Sequence, residues 1–310
     1  MVDVAQKGLF SWAREQLNAQ QWSILGGGDL EGVPLTGDAG KRSYYRLPTE
    51  PPLLAVLAPP ESEKNPLFVS IAHYLREQGV HTPGVIAVDI DRGFLLLEDF
   101  GDALYSEELT SDTADLLYGE ALMSLLRLQQ CPVTTIADAS QASDEAMLTL
   151  DNYDAQRLGD EMRLFGEWFV PQLLGYQLND AEKAMLDGLY TQLESEAMRQ
   201  PQVWVHRDFH SRNLIVTEGC APGVIDFQDA VWGPLTYDLV SLFRDCYIRW
   251  PREQVRHWAG TYGDMAVDAG LMPPVSKEQF MKWFDWMGVQ RHIKVLGIFT
   301  RLSLRDDKTA

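Results

Sequence analysis

Three oxygen-bearing side chains sit at fixed spacing in this chain: Asp208, Asn213 five residues later, and Asp226 eighteen residues after Asp208. The first two lie in the run His206-Arg207-Asp208-Phe209-His210-Ser211-Arg212-Asn213-Leu214. Asp226 closes the apolar run Gly223-Val224-Ile225 and leads into Phe227-Gln228-Asp229. Phosphoryl transfer needs such a set: one carboxylate facing the acceptor hydroxyl, and two hard oxygen ligands for Mg²⁺. The pattern H-x-D-x-x-x-x-N fits residues 206–213. Either piece alone is weak; both in order, each beside a strand-like apolar run, are specific.

Asp208 is the expected catalytic carboxylate. It would accept a hydrogen bond from the attacking hydroxyl and take its proton late in transfer, a contribution of about 10²–10⁴ in rate. Asn213 and Asp226 are the expected Mg²⁺ ligands, with ATP phosphates and water filling the remaining positions. Burial of Asp226 behind Val224-Ile225 would be costly without a cation or several donors. His210 and Arg212 lie inside the same loop, facing either the acceptor or the phosphates. Arg212 offers a planar donor fork for transferring charge, or a partner for a surface carboxylate.

These residues need a scaffold. Residues 5–17 read as an amphipathic helix with Leu9, Phe10, Ala13 and Leu17 on one face. Gly26-Gly27-Gly28 follows as a connector, because no strand closely precedes it. Short strands are expected at 33–36, 43–47 and 53–57, punctuated by Pro51-Pro52 and Pro59-Pro60. The turn from Gly37 through Gly40, Lys41 and Arg42 to Ser43 would cover the ATP phosphates, its glycines permitting close backbone approach and its cations adding charge. A helix at 65–78 and a strand pair at 85–90 and 94–97 complete the first section. Beyond it the chain turns helical, with helices expected at 111–130, 144–165, 181–198, 237–248, 254–269 and 277–298. The expected fold class is α+β and bilobal: a small β-rich nucleotide-binding lobe over 1–97, a hinge over 98–102 that includes Glu98 and Phe100, and a larger helical catalytic and substrate lobe over 103–310.

With 310 residues and 45% hydrophobic content, the chain can bury a sizeable core in two lobes. A net charge of −19 repels nucleic-acid phosphates and argues against a general nucleic-acid binder. Three cysteines, Cys131, Cys220 and Cys246, lack metal-type spacing and read as buried reduced thiols. The first ten residues hold no long apolar run, and no stretch approaches the ~20 apolar residues of a membrane span. The expectation is a cytoplasmic monomer with a small-molecule partner and no membrane or nucleic-acid partner.

The motifs resemble those of the aminoglycoside phosphotransferase family, whose fold is similar to that of protein kinases, and the resemblance spans nearly the whole chain. More closely, His206–Asn213, the run Ile225-Asp226-Phe227-Gln228-Asp229-Ala230-Val231-Trp232-Gly233-Pro234, and Thr236-Tyr237-Asp238-Leu239-Val240-Ser241-Leu242 resemble a bacterial subgroup of cell-wall amino-sugar kinases. Those enzymes phosphorylate the anomeric hydroxyl of N-acetylmuramate and N-acetylglucosamine in peptidoglycan recycling. The resemblance implies an architectural His206 under the catalytic loop and an Asp238 that braces it through backbone amides. It places Asp229 and Trp232 at the acceptor pocket. Asp229 would bind sugar hydroxyls, and Trp232 would stack on a sugar face or pack in the core. N-acetylmuramate carries a carboxylate, so a basic side chain is expected there, with Arg163, Arg212 and Arg244 as candidates. Other acceptors, an aminoglycoside or a choline-like amine, stay open at this level, as does a nucleotide-binding pseudokinase. No segment ending in Ala-Pro-Glu is present, which argues against a protein substrate.

One departure stands out. Kinases of this fold carry a Lys on the third strand, paired with a Glu on the following helix. Here Leu53-Leu54-Ala55-Val56-Leu57-Ala58 has no Lys, and the helix offers Phe68 and Ser70 where the Glu is expected. Losing both strands neither charge, but leaves the phosphates short of a cation. Lys41, Arg42 and Arg46 are the candidates to replace it.

Overall fold

The computed structural model of the chain describes residues 2–25, 30–35, 41–132, 134–140, 147–219 and 221–305. Gly26, Gly27, Gly28, Gly37, Gly40 and Cys220 lie outside the described residues. The chain divides into two compact units, one made of Met1–Leu104, Thr135–Thr149 and Leu214–Gln228, the other of Tyr105–Thr134, Leu150–Asn213 and Asp229–Ala310.

The first unit is built on a five-stranded antiparallel sheet in the order Val33–Pro34, Ser43–Leu47, Leu53–Leu57, Phe94–Glu98, Val85–Asp89. Ser43 pairs with Leu57 and Leu47 with Leu53, so the two strands run fully in register. Side chains alternate across a strand. Tyr45, Leu47, Leu53 and Ala55 therefore pack on one face, against Leu9, Trp12, Ala13 and Leu17 of the helix Val2–Ala19. Arg42, Tyr44 and Arg46 take the other parity. The helix Asn65–Glu77 opens with Pro at its first turn, where a missing N–H costs nothing, and buries Phe68, Val69, Ile71, Ala72 and Leu75. It stops at Gly79, whose φ of 81° suits glycine, with the Val80 N–H donating back to the Leu75 carbonyl at 2.9 Å.

Two later stretches, expected in the larger lobe, belong to this unit. The hairpin Thr135–Ala137 with Met147–Thr149 is tied to the helix Asn65–Glu77: the Ala139 N–H donates to the Ser70 hydroxyl at 2.9 Å. The pair Leu214–Ile215 with Gly223–Val224 is held by the Val216 N–H on the Ala103 carbonyl and the Val224 N–H on the His81 carbonyl, both at 2.8 Å. Backbone pairing, rather than sequence order, decides their membership.

The second unit is helical: Ala114–Gln129, Ala155–Leu164, Asp180–Met198, Thr236–Phe243, Arg252–Asp268 and Lys277–Arg305, with a π-helix at Phe165–Leu173. One two-stranded ribbon, Gln202–Val205 with Val231–Pro234, pairs Trp204 with Trp232. The helix Lys277–Arg305 packs against the π-helix and against Ala155–Leu164, Thr236–Phe243 and Asp180–Met198.

The helix expected over 144–165 starts only at Ala155. Met147–Thr149 is strand, and the Asp154 side chain caps the helix by accepting from the Arg157 N–H. The helix expected over 237–248 ends at Phe243. Past it, the Asp245 carboxylate accepts from the N–H groups of Tyr247 and Ile248 at 3.0 and 2.8 Å, bonds that compete with helix continuation. This turn exposes Cys246, which corrects the expectation of a buried thiol; Cys131 is buried as expected. No helix among the described residues is long and apolar enough to cross a membrane.

Candidate active site

Within the second unit, the loop from His206 to Asn213 leaves the strand Gln202–Val205 and closes with a 3₁₀ turn at Ser211–Asn213. Arg207 takes φ +78°, a conformation that strains a side chain with a Cβ and persists only when its surroundings impose it. Four side chains impose it. The Asp238 carboxylate, fully buried, accepts the His206 N–H at 2.6 Å and the Arg207 N–H at 3.0 Å. The Arg291 guanidinium donates to the Arg207 carbonyl at 3.2 Å. The Arg207 side chain donates to Glu161 at 2.7 Å, and Lys294 holds the other Glu161 oxygen at 3.0 Å. Lys294 and Arg291 both donate to the Tyr237 hydroxyl, at 2.8 and 3.3 Å.

His206 has no solvent exposure, and its Nδ1 accepts the Asp208 N–H at 3.3 Å, the architectural place expected of it. Asn213 Nδ2 donates to the Asp208 carbonyl at 3.0 Å. That bond fixes the carboxamide and identifies Oδ1 as its hard oxygen. Burial opposes charge on the Asp208 carboxyl, but Arg291 and Lys294, with His210 and His206 behind them, outweigh it and hold the group below the ordinary aspartate range. Asp208 is thus an anion at neutral pH in a mostly dry setting, as a proton acceptor should be.

His210 stands edge-on to Tyr247 with ring centroids 5.4 Å apart, and its Nδ1 is buried with no hydrogen-bond partner among the described residues. Burial pulls its pKa down, against the pull of Asp208, so the ring is neutral near pH 7. The Arg212 guanidinium lies over the same Tyr247 ring at 4.9 Å. Ser211 donates to Asp245 at 2.7 Å and anchors the end of the loop. Asp229 is exposed, and Trp232 is half-buried in its ribbon, where its N–H donates to the Asp151 carbonyl at 2.9 Å. Of the arginines expected to meet a substrate carboxylate, Arg163 pairs with Asp160 at 2.6 Å, and Arg244 pairs with Asp285 and stacks on Phe284.

In the first unit, Asp226 takes φ +63° just past the strand Gly223–Val224, a conformation aspartate tolerates. The turn swings its carboxylate to the surface. Asp226 is exposed, which corrects the expectation of a buried charge. Gln228 Nε2 donates to Asp226 Oδ1 at 2.6 Å, while the Gln228 carbonyl oxygen is buried without a hydrogen-bond partner among the described residues. Asn213 in the second unit and Asp226 in the first each carry a hard oxygen of the kind Mg²⁺ takes.

Glu98 accepts from Arg76 at 2.9 Å and from the Gly84 N–H at 3.0 Å, and the Phe100 ring packs on Gly223 and on His81, the latter at 4.5 Å. Lys41 is exposed and Ser43 half-buried. Arg46 is not available to phosphates: it holds Asp99 at 2.5 Å and Asp102 at 2.6 Å. Arg42 lies 4.5 Å over the Phe68 ring with Glu63 at 3.1 Å. Sequence reasoning missed Arg291 and Lys294, which lie about 80 residues from the loop on a helix whose pattern reads as ordinary amphipathic packing. A buried Arg and Lys one turn apart on one face of that helix carried the signal.

The chain matches the family profile described as phosphotransferase enzyme family over residues 31–273. It is 39% identical to the N-acetylmuramate/N-acetylglucosamine kinase of Pseudomonas putida, over 99% of this chain and 87% of that one. Among solved structures, it is similar to a Plasmodium vivax ethanolamine kinase with a TM-score of 0.61, at 15% identity over 89% of this chain and 77% of that one. It is also similar to an aminoglycoside phosphotransferase from Streptomyces rimosus in complex with ADP and streptomycin, with a TM-score of 0.52, at 15% identity over 90% of this chain and 98% of that one.

Proposed function

The chain belongs to the phosphotransferase enzyme family, and from that premise we propose that it transfers the γ-phosphoryl group of ATP to the anomeric hydroxyl of N-acetylmuramate and N-acetylglucosamine. The acceptor rests on the near full-length likeness to a kinase of those two sugars. The observation that carries the chemistry is the anchored, anionic Asp208.

Asp208 orients the anomeric O–H, accepts a hydrogen bond from it, and takes its proton as the O–P bond forms. An anomeric hydroxyl is more acidic than other sugar hydroxyls, so a carboxylate with a low pKa suffices as acceptor. The Asp238 and Arg291 anchors hold the Arg207 peptide in its strained conformation, so orientation is built before substrate arrives. His210 and Arg212, flanking Tyr247, would meet the sugar or the transferring phosphoryl group, and Asp229 and Trp232 would meet the sugar hydroxyls and ring face. Asn213 and Asp226 would hold Mg²⁺, which supplies charge neutralisation on the phosphates when bound. The segment from Gly37 through Gly40, Lys41 and Arg42 to Ser43 would cover those phosphates, and the backbone from Glu98 to Phe100 would meet adenine.

The test is ATP consumption with Mg²⁺ against N-acetylmuramate, N-acetylglucosamine, glucose, kanamycin and choline, run beside Asp208→Ala. Turnover on the two N-acetylated sugars, lost in the variant, is the expected result. Turnover confined to kanamycin or choline would discard the amino-sugar reading.

A further inference from the structure

A kinase of this fold grips the nucleotide phosphates with a strand Lys that a helix Glu holds in place, and this chain has neither. Arg42 immediately precedes Ser43, the cross-strand partner of Leu57, so it stands at the end of the strand that lacks the lysine. Strand alternation puts it on the parity of Tyr44, away from the core face of Tyr45 and Leu47.

Its side chain is only 7% exposed, yet Nε and Nη2 of the guanidinium are buried with no hydrogen-bond partner among the described residues. A buried, charged donor left unmet costs more than the bond itself is worth. Nearby groups engage part of the guanidinium and position the rest. Glu63 lies 3.1 Å from Nε, close enough to attract but outside hydrogen-bond alignment, and is itself 17% exposed. The Phe68 ring lies beneath at 4.5 Å, and Phe68 stacks in turn on Phe227, the residue after Asp226, with centroids 5.0 Å apart. Tyr44 shares a side-chain hydrogen bond with the Arg42 guanidinium and is close enough to feel the charges of Arg42, Asp226 and Glu63 together. The two side chains assigned to phosphate and metal thus share one cluster inside the first unit.

We propose that Arg42, held by Glu63 and Phe68, is the cation that binds the α- and β-phosphates of the nucleotide, replacing the absent Lys–Glu pair. The inference rests on the kinase reading above. The departures in sequence then explain one another. An aromatic ring, Phe68, stands with Ser70 where the Glu is expected, and a planar guanidinium stacks on a ring where an ammonium would need a carboxylate. Glu63, two residues before the helix Asn65–Glu77, supplies the counter-charge from the turn. A guanidinium carries parallel N–H donors that match two phosphate oxygens at once, so its unmet donors are the ones a diphosphate would fill.

The experiment is calorimetric titration of Mg²⁺–ADP and, separately, of adenosine into the wild type, Arg42→Met and Arg42→Lys, with unfolding temperatures recorded for each. Arg42→Met keeps a stem on Phe68 and is expected to weaken ADP by about tenfold or more while adenosine binds as before. Arg42→Lys keeps the charge and is expected to weaken ADP by a few-fold; it carries the test alone if the methionine variant does not fold. ADP affinity unchanged in a folded variant overturns the inference and leaves the kinase reading intact. A wild type that binds no ADP overturns both.

Discussion

The carboxylate of Asp238 accepts the backbone N–H of His206 at 2.6 Å from a position with no solvent exposure. Its other oxygen takes the Arg207 N–H, so one side chain closes two donors that the turn at Arg207 would otherwise strand. Burial, opposed by these two bonds and by Arg291, pushes the Asp238 pKa up to about 7 from an ordinary 3.8. A carboxyl raised in the folded state favours the fold while protonated. Its contribution is full below the unfolded value and is lost as pH rises through about 7. Asp238→Asn leaves one N–H facing an amide and is expected to cost about 1–3 kcal/mol. Chemical denaturation of both proteins at pH 5 and pH 8 should show the wild type's advantage larger at pH 5. An advantage that grows toward pH 8 would contradict the assignment.

Replacing Asp208 by Asn keeps the loop's shape and removes the carboxylate proposed as proton acceptor. The expected loss in kcat is about 10²–10⁴, with ADP affinity unchanged because Asp208 makes no claim on the nucleotide. A parallel loss of ADP binding would mean that the substitution collapses the loop, and the base assignment would need another variant.

Arg291 does two things for that base. It fixes the Arg207 carbonyl at 3.2 Å, and its charge helps hold the Asp208 carboxyl below its ordinary range. Without the cation, burial prevails and the carboxyl rises. The acid limb of kcat/KM should therefore move to higher pH in Arg291→Met, and return toward the wild type in Arg291→Lys. A profile that falls in height without moving along the pH axis would assign Arg291 to packing alone.

Much of the candidate site's geometry was legible because its residues are local in sequence. Asp208 and Asn213 are joined by the Asn213 side chain on the Asp208 carbonyl, a contact that five-residue spacing nearly dictates. The strands Ser43–Leu47 and Leu53–Leu57 were legible because apolar runs bounded by prolines leave few alternatives. What escaped is long-range or turn-driven. Arg291 and Lys294 meet the loop only through tertiary packing. The surface position of Asp226 follows from a positive φ that a Val-Ile-Asp run does not announce. The apolar residues before the N-cap Asp154 hid the start of the helix Ala155–Leu164.

Arg46 lies on the strand Ser43–Leu47 and Arg42 just before it at the same parity, yet their surroundings separate their roles. Arg46 meets four carboxylate oxygens, two on Asp99 and two on Asp102, and these raise its pKa further. Four of its five N–H donors are thus engaged, which leaves little to offer a phosphate. Arg46→Ala should therefore lower stability and spare ADP affinity. Asp99, 7% exposed, would lose its counter-charge while keeping the Gly101 N–H at 2.9 Å. Asp102 is open to water and would lose little. With Arg46 itself partly exposed, the cost is about 2 kcal/mol, well below that of a fully buried pair. Denaturant melts and ADP titration on the same preparation separate the two effects. A large loss of ADP affinity with stability unchanged would move the phosphate-binding role from Arg42 to Arg46.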